Sequence, residues 1–491
     1  MMKKIMAFLL VLLVLFSSCS SAFAAKKKDP APTAEPIPQP TLSPDAPDYD
    51  KEHPENLSAD QLYALSAVLM TQDKGEVIFE KDADEIRYPA SMTKILTVLI
   101  ALTFADDLNE TVVVSENAVN VPADSSTMYL KAGEEIRLID VIYGTMLLSA
   151  NDGANVIAEA IAGDIPRFVD LMNTTAQTLG CDHSHFVNPH GYHDDNHYST
   201  ARDIAVIARE AMKNETFREI VATTSYQLPR TNKQRSRTIT TKTEYMLPGS
   251  EDSPNKYYYE FATGIKTGSH SHSGYCFAGS AAKDGVELIS VVMFTGRKAR
   301  WADTIKLMDY GFSQYVSVSP VDLYNMHPIQ VSTLNYSTSD LDNGKITLSC
   351  VPKGEDVQIV TTKTDAKRMA DNLDRSFNIE FTRGELRAPI QAGEEIATLT
   401  YRNEKGIIYE YSLIASRSVE KWENAPRSLD EIIAETNADP NPFPSFSFEF
   451  ALVLFGPPLL LACAIALLVF YHKKRGAHKM RAPRPVNRYV K

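Results

Sequence analysis

The segment Tyr88-Pro89-Ala90-Ser91-Met92-Thr93-Lys94-Ile95-Leu96-Thr97-Val98-Leu99 sets a proline ahead of apolar residues at helical spacing. That pattern predicts a helix with Ser91 in its first turn. Residues three apart share a helix face, so the Ser91 hydroxyl and the Lys94 amine are expected side by side. They would sit at a helix end whose unpaired N–H groups favour developing negative charge. A serine hydroxyl is a poor nucleophile until a nearby base takes its proton, and a lysine of depressed pKa can be that base. The spacing is common, and by itself it fits an ordinary helix start equally well. The rest of the chain has to decide.

The ends fix the compartment to expect. Residues 1–24 begin with Lys3 and Lys4, continue through an apolar run and finish on Ala22-Phe23-Ala24, the pattern of a cleaved secretory signal. Cys19 raises a lipoprotein alternative, but Phe16 stands where a lipid-attachment motif wants an aliphatic residue. Residues 450–471 carry no charge and are long enough to cross a bilayer. Beyond them lie eight basic residues and no acidic one in 472–491, which the positive-inside rule places in the cytoplasm. The expectation is a single-pass protein of the cell membrane with its bulk outside the cytoplasm. Without those eight residues and Lys3 and Lys4, the formal charge of −12 becomes −22. So acidic an exterior argues against nucleic acid as a partner. Outside the signal and the span, Cys181, Cys276 and Cys350 remain, an odd number without metal-ligand spacing, so no disulfide framework is implied.

Between the ends, 25–56 is a proline-rich linker with almost nothing to bury. A hairpin is expected over 67–71 and 76–80. Helices follow at 138–148, 151–162, 165–179 and 201–213, the last with a capping box from Thr200 to Asp203. Strand patterns return at 264–267, 275–282 and 287–295, and a helix closes the segment at 300–310. Strands, then helices, then strands predict an α+β domain over 57–319, one antiparallel sheet built from both ends of the segment and covered by helices. About 260 residues suffice for a substantial core. Short alternating runs over 320–416 read as a small all-β domain, and 417–449 leads to the membrane.

Two further motifs join Ser91-Met92-Thr93-Lys94. Ser149-Ala150-Asn151 lies at a break between helices, and Lys266-Thr267-Gly268 ends a strand and runs into Ser269. Ser-x-x-Lys, Ser-x-Asn and Lys-Thr-Gly in that order are the signatures of the penicillin-recognising serine acyltransferases. Over 57–315 the sequence resembles the low-molecular-mass penicillin-binding proteins that are serine-type D-alanyl-D-alanine carboxypeptidases. Phe186-Val187-Asn188-Pro189-His190-Gly191, His197-Tyr198-Ser199-Thr200-Ala201-Arg202-Asp203 and Asp309-Tyr310-Gly311-Phe312 are also similar to the family.

The resemblance implies a β-lactamase/transpeptidase-like catalytic domain followed by a β domain and a membrane anchor, and it implies roles. Ser91 would attack the carbonyl of the penultimate D-alanine of a peptidoglycan stem peptide while Lys94 takes its proton. Ser149 would relay that proton to the departing D-alanine, and Asn151 would hold the substrate backbone. Lys266, a second cation nearby, would disfavour the charged form of Lys94. Thr267 would bind the terminal carboxylate beside Gly268, and backbone N–H groups of Ser91 and Ser269 would form the oxyanion hole. Arg300 is the candidate partner of the substrate carboxylate, with Arg297 its rival. β-Lactam antibiotics would trap Ser91 covalently. No cofactor is required. The middle motif carries alanine where glycine is frequent, a position without a functional group.

Rival readings remain at this stage. Cys181, Asp182, His183, His185, His190, His193, Asp194, Asp195 and His197 crowd one region and invite a metal, but no His-Glu-x-x-His accompanies them, and a polar loop accounts for the crowd. A β-lactamase or a D,D-endopeptidase of the same superfamily shares the three motifs, and a non-catalytic wall-binding sensor could retain the fold.

Overall fold

In the computed structural model of this chain, residues 48–423, 433, 461–462 and 464–469 are described. The predicted signal, the basic tail and most of the proline-rich linker, of the juxtamembrane stretch and of the span lie outside them. Among the described residues no helix is long and apolar enough to cross a membrane. Two compact units are present. One takes in the described residues up to His327 together with Pro352–Asn378 and Thr400–Glu410; the other holds Pro328–Val351, Ile379–Leu399 and the described residues from Tyr411 onward.

The first unit is built on five strands: β1 (Ser66–Thr71), β2 (Val77–Lys81), β3 (Ala262–His270), β4 (Gly274–Lys283) and β5 (Val286–Thr295). They pair antiparallel in the order β2-β1-β5-β4-β3. The two ends of the segment therefore meet at β1 and β5, as the pattern of strands, helices and strands predicts. Asp284 and Gly285 join β4 to β5 with φ of 49° and 78°. Positive φ at both central residues matches the right-handed twist of the flanking strands and closes the hairpin in two residues.

Period-two alternation divides the strands between two cores. Val68, Met70, Ala278, Ile289, Val291 and Met293 face one cluster, which they share with the helices of the central segment. Ala67, Leu69, Phe277, Ala281, Leu288 and Val292 face the other, with Trp301, Leu307 and Met308 of the closing helix. The helices are α1 (Lys94–Phe104), α2 (Leu138–Leu147), α3 (Asn151–Ala162), α4 (Ile165–Thr178), α5 (Ala201–Ala211), α6 (Glu215–Ala222) and α7 (Ala299–Gln314). Both faces of the sheet are thus covered, which is why β5 is buried along nearly its whole length.

Only half of the predicted capping box before α5 forms. Asp203 N–H donates to Thr200 Oγ1 at 3.0 Å, but the Asp203 carboxylate accepts from His183 N–H and Ser184 Oγ–H and so holds the preceding loop.

In the second region β6 (Gln330–Ser332), β7 (Lys345–Pro352), β8 (Asn378–Phe381), β9 (Glu395–Arg402) and β10 (Ile408–Ala415) form a sheet in the order β6-β7-β10-β9-β8. The expectation of an all-β stretch over 320–416 needs correcting. Helices occupy Pro320–Met326, Lys363–Asp371 and Leu373–Ser376. The second of these has a physical signature that strand patterning passes over: Thr362 Oγ1 accepts from Asp365 N–H as an N-cap, and Ala366 and Ala370, four apart, share one buried face.

Candidate active site

Ser91 is set one step earlier than the predicted helix. Ala90–Thr93 is a 3-10 turn, and α1 begins at Lys94. The Lys94 N–H donates to Ser91 O, the three-residue bond of that tighter geometry. In a 3-10 turn, side chains three apart eclipse, whereas in an α-helix they are offset. The spacing in Ser-x-x-Lys therefore brings Lys94 Nζ to 3.0 Å from Ser91 Oγ. Pro89 opens the turn, and Ala90 takes a φ of 47°, unusual for a residue with a Cβ.

What fixes the turn comes from far along the sequence. Gly191 (φ 79°) lies so close that a Cβ there would stand 1.8 Å from Ala90 O. Gly268 packs on the other side, where a Cβ would meet Pro89 O at 2.7 Å. The glycine of Lys-Thr-Gly is thus explained by the approach of β3 to the Ser91 turn. Asn188 folds the loop before Gly191: its Oδ1 accepts from Gly191 N–H at 2.7 Å, and its Nδ2 donates to Tyr192 O at 2.9 Å. His197 is buried against Thr93. Its Nδ1 accepts from Val187 N–H, which leaves Nε2 as the donor to Thr93 Oγ1 at 2.8 Å, while the Thr93 hydroxyl donates to Ala90 O. Burial, first of all, lowers the His197 pKa to about 3, so it holds the turn as a neutral ring.

Lys94 is 0% exposed. Besides Ser91 Oγ its amine meets two carbonyl oxygens, Asn151 Oδ1 at 2.7 Å and His190 O at 2.6 Å. Burial, and after it the Lys266 charge, hold its pKa well below the usual lysine value, with Asp152 pulling the other way. A neutral amine has two N–H donors and one lone pair. Two carbonyls take the two donors, and the lone pair is left for the Ser91 O–H. The three contacts accommodate that neutral form, and burial and the Lys266 charge are what favour it.

Asn151 begins α3, two residues after Ser149, whose φ of 64° marks the break between α2 and α3. Its Nδ2 donates to Ser125 Oγ at 3.0 Å and its backbone N–H to Ser126 O at 2.7 Å. Asp152 is buried and accepts from Met128 N–H and Leu130 N–H, each at 3.0 Å, which pins the loop that carries Ser125. Ser149 itself is half-buried at that break.

Lys266, Thr267, Gly268 and Ser269 lie in β3, which runs three residues past the end of the predicted strand at 264–267. Lys266 is buried, and burial, then Arg300 and Lys242, lower its pKa to about 7. Thr267 is half-buried and Ser269 exposed. Of the two arginines, Arg297 is exposed. Arg300 is buried in the first turn of α7, its guanidinium over the rings of Trp301 and Tyr275 at 4.3 and 5.3 Å. Its Nε has no hydrogen-bond partner among the described residues, and burial lowers its pKa to about 10. Of the two, Arg300 is the one whose charge reaches Lys266.

The sequence motifs named most of the pocket but not the His190 carbonyl, Ser125, Asp152 or the His197–Thr93 bond. The signal for the first and last lay in the Asn188-Pro189-His190-Gly191 segment, similar to the family but given no role. The crowd of metal-ligand types at 181–197 disperses: His190 and His197 serve the Ser91 turn, Asp203 caps the His183 loop, and Cys181 is a buried free thiol.

A hydroxyl hydrogen-bonded to a buried lysine whose pKa is held well below the usual value, with Lys266 and Arg300 close by, defines a serine acyl-transfer hydrolase. The chain belongs to the D-alanyl-D-alanine carboxypeptidase family, peptidase S11, whose sequence model matches residues 53–296. D-alanyl-D-alanine carboxypeptidase DacF of Bacillus subtilis is 30% identical over 365 residues, covering 73% of this chain and 86% of the relative. DacA of Escherichia coli K12, named for the same activity, is 28% identical over 387 residues, covering 76% and 87%. Penicillin-binding protein 5 of Haemophilus influenzae, a solved structure, aligns with 74% of this chain and 100% of its own at 25% identity and a TM-score of 0.49.

Proposed function

We propose that this chain is a serine-type D-alanyl-D-alanine carboxypeptidase that removes the terminal D-alanine from peptidoglycan stem pentapeptides through an acyl-enzyme on Ser91. The observation that carries the reading is the buried Lys94 amine, its pKa held well below the usual lysine value, 3.0 Å from the Ser91 hydroxyl.

The Lys94 lone pair takes the Ser91 proton as Oγ attacks the penultimate D-alanine carbonyl. Its other two hydrogens stay on Asn151 Oδ1 and His190 O, so the amine neither rotates nor swings away. Preorganisation of this kind removes the orientational cost from the chemical step. Ser149 passes the proton to the departing D-alanine, and water later hydrolyses the ester. Lys266, Thr267 and Arg300 receive the substrate carboxylate, and the backbone N–H groups of Ser91 and Ser269, beside Gly268, receive the oxyanion. A β-lactam presents a similar acyl group and acylates Ser91.

The chain acts outside the cytoplasmic membrane, carried there by its signal and held by the uncharged run at 450–471, with the basic tail inside. The uncharged run and its basic flank support this placement. The β-rich domain serves as a spacer above the membrane.

The test is incubation of wild type and Ser91→Ala with a labelled penicillin and with a peptide ending in D-Ala-D-Ala. Ser91-dependent labelling and D-alanine release are expected. Rapid turnover of the β-lactam in place of a lasting adduct would make the chain a β-lactamase, and labelling without release would make it a sensor or an endopeptidase.

A further inference from the structure

One member of the dispersed histidine crowd acquires new neighbours. His193 follows the loop that supplies the His190 carbonyl, and it meets His270 and His272, which lie at the end of β3 and in the turn after it. One ring nitrogen from each of the three falls within 4.8 Å of the others. The His193 and His272 rings stack at 4.0 Å, and His193 and His270 at 5.2 Å. His270 Nδ1 and His272 Nδ1 face each other at 3.3 Å. A tetrahedral ion with metal–nitrogen bonds of about 2.0–2.1 Å imposes an N···N separation of about 3.3 Å.

The surroundings prepare the ligands. The Asp195 carboxylate lies 3.5 Å from His193 Nε2. A carboxylate there keeps the ring proton on Nε2 and leaves the Nδ1 lone pair unshared, the arrangement by which metal-bound histidines are oriented. His193 Nδ1 is buried and has no hydrogen-bond partner among the described residues. A buried acceptor without a donor is destabilising, and a bound cation would satisfy it. The Tyr88 ring stands edge-on against His193 at 4.6 Å and limits its rotation.

We propose that His193, His270 and His272 form a binding site for one divalent transition ion such as Zn²⁺. An all-imidazole donor set suits zinc, cobalt, nickel or copper and not magnesium or calcium. Three protein ligands leave the fourth position of a tetrahedral ion to water on the side where His272 is exposed. The ion would clasp two walls of the serine pocket: the end of the strand carrying Lys266-Thr267-Gly268, two residues before His270, and the loop whose His190 carbonyl holds Lys94, three residues before His193. The site takes no part in acyl transfer, and its existence does not depend on what substrate Ser91 attacks.

The test uses the purified chain without a polyhistidine tag, titrated with Co²⁺ and then with Zn²⁺ in competition. Expected are one equivalent of Co²⁺ with the visible absorption of a four-coordinate ion, displacement by Zn²⁺, and affinity lower by about 100-fold or more in His272→Ala and in His193→Ala. His272→Cys should still bind Co²⁺ and add a sulfur charge-transfer band, which a purely structural role for His272 would not produce. Ser91→Ala should bind the ion as wild type does. Hydrogen exchange over 269–274 should slow by about tenfold or more with Zn²⁺. Absence of saturable binding, or binding unchanged in the His193→Ala/His272→Ala double variant, would overturn the site. Exchange over 269–274 indifferent to a bound ion would overturn the clasp.

Discussion

The catalytic unit and the β-rich second region treat charge in opposite ways. Lys94, Glu134, Asp140, Asp152, Asp203, Lys266, Arg300 and Asp303 are buried, and all lie in the catalytic unit. In the second region the ion pairs Arg383–Glu394 and Arg387–Glu385 are open to water. Burying an ion costs several kcal/mol even after relaxation, and surface pairs are worth about 0–1 kcal/mol. A fold keeps buried lysines when a shifted proton equilibrium is what they provide. In the catalytic unit that expense buys a lysine whose pKa is held well below its usual value, while the second region has only to stay folded.

Removal of the buried base should give the largest effect on this contrast. Lys94→Gln deletes the lone pair while it keeps a polar side chain, and Ser91 acylation by labelled penicillin should fall by about 10³–10⁴-fold or more with the circular dichroism unchanged. An acylation rate within tenfold of wild type would mean that another group takes the Ser91 proton.

Backbone fit separates the two regions next. Gly191 and Gly393 have nearly the same φ, 79° and 83°, yet a Cβ meets Ala90 O at 1.8 Å in the first and nothing within 4 Å in the second. Gly191→Ala should lower stability by about 3 kcal/mol or more, the cost of a left-handed residue plus that of overpacking, and displace the Ser91 turn. Gly393→Ala should cost only about 1–2 kcal/mol, the left-handed term alone, with acylation unchanged. Denaturant unfolding of both variants decides it, and equal losses would show that the close approach at Ala90 is not rigid.

A pH profile gives the finest test. In the free enzyme kcat/KM should rise with pH as Lys94 loses its proton, because only the neutral amine accepts the Ser91 hydrogen. Since the Lys266 charge is one of the causes holding the Lys94 pKa down, Lys266→Met should move that acid limb to higher pH. For two unit charges an effective dielectric near 20 gives about 4 kcal/mol at 4 Å and less at longer range, and one pKa unit is about 1.4 kcal/mol, so a shift of about one pH unit or more is expected. An acid limb that stays in place would assign the low pKa of Lys94 to burial alone.

How much was legible follows from the range of the interactions. The hairpin at Asp284-Gly285, the alternation that sorts β1 and β5 between two cores, and the N-cap at Thr200 depend on neighbours in sequence, and the residues announce them. The helix at Lys363–Asp371 was readable from Thr362 and the Ala366–Ala370 pair, yet strand-like runs on either side drew it into an all-β reading. That Arg300 is buried while Arg297 is exposed could not be read, since both are arginines three apart and only the packing separates them.

The sequence alone determined which groups are present and in what order: a serine three residues from a lysine, Ser-Ala-Asn after it, Lys-Thr-Gly on a later strand, and glycine where no side chain fits. Tertiary structure decided what those groups are chemically. Lys94 reaches Asn151 and His190 across 57 and 96 residues of sequence, and its charge state follows from the water those contacts exclude and from the approach of Lys266. Desolvation and Coulomb energy are functions of distance in space, so the same lysine in the same tetrapeptide would be an ordinary protonated side chain on an open helix.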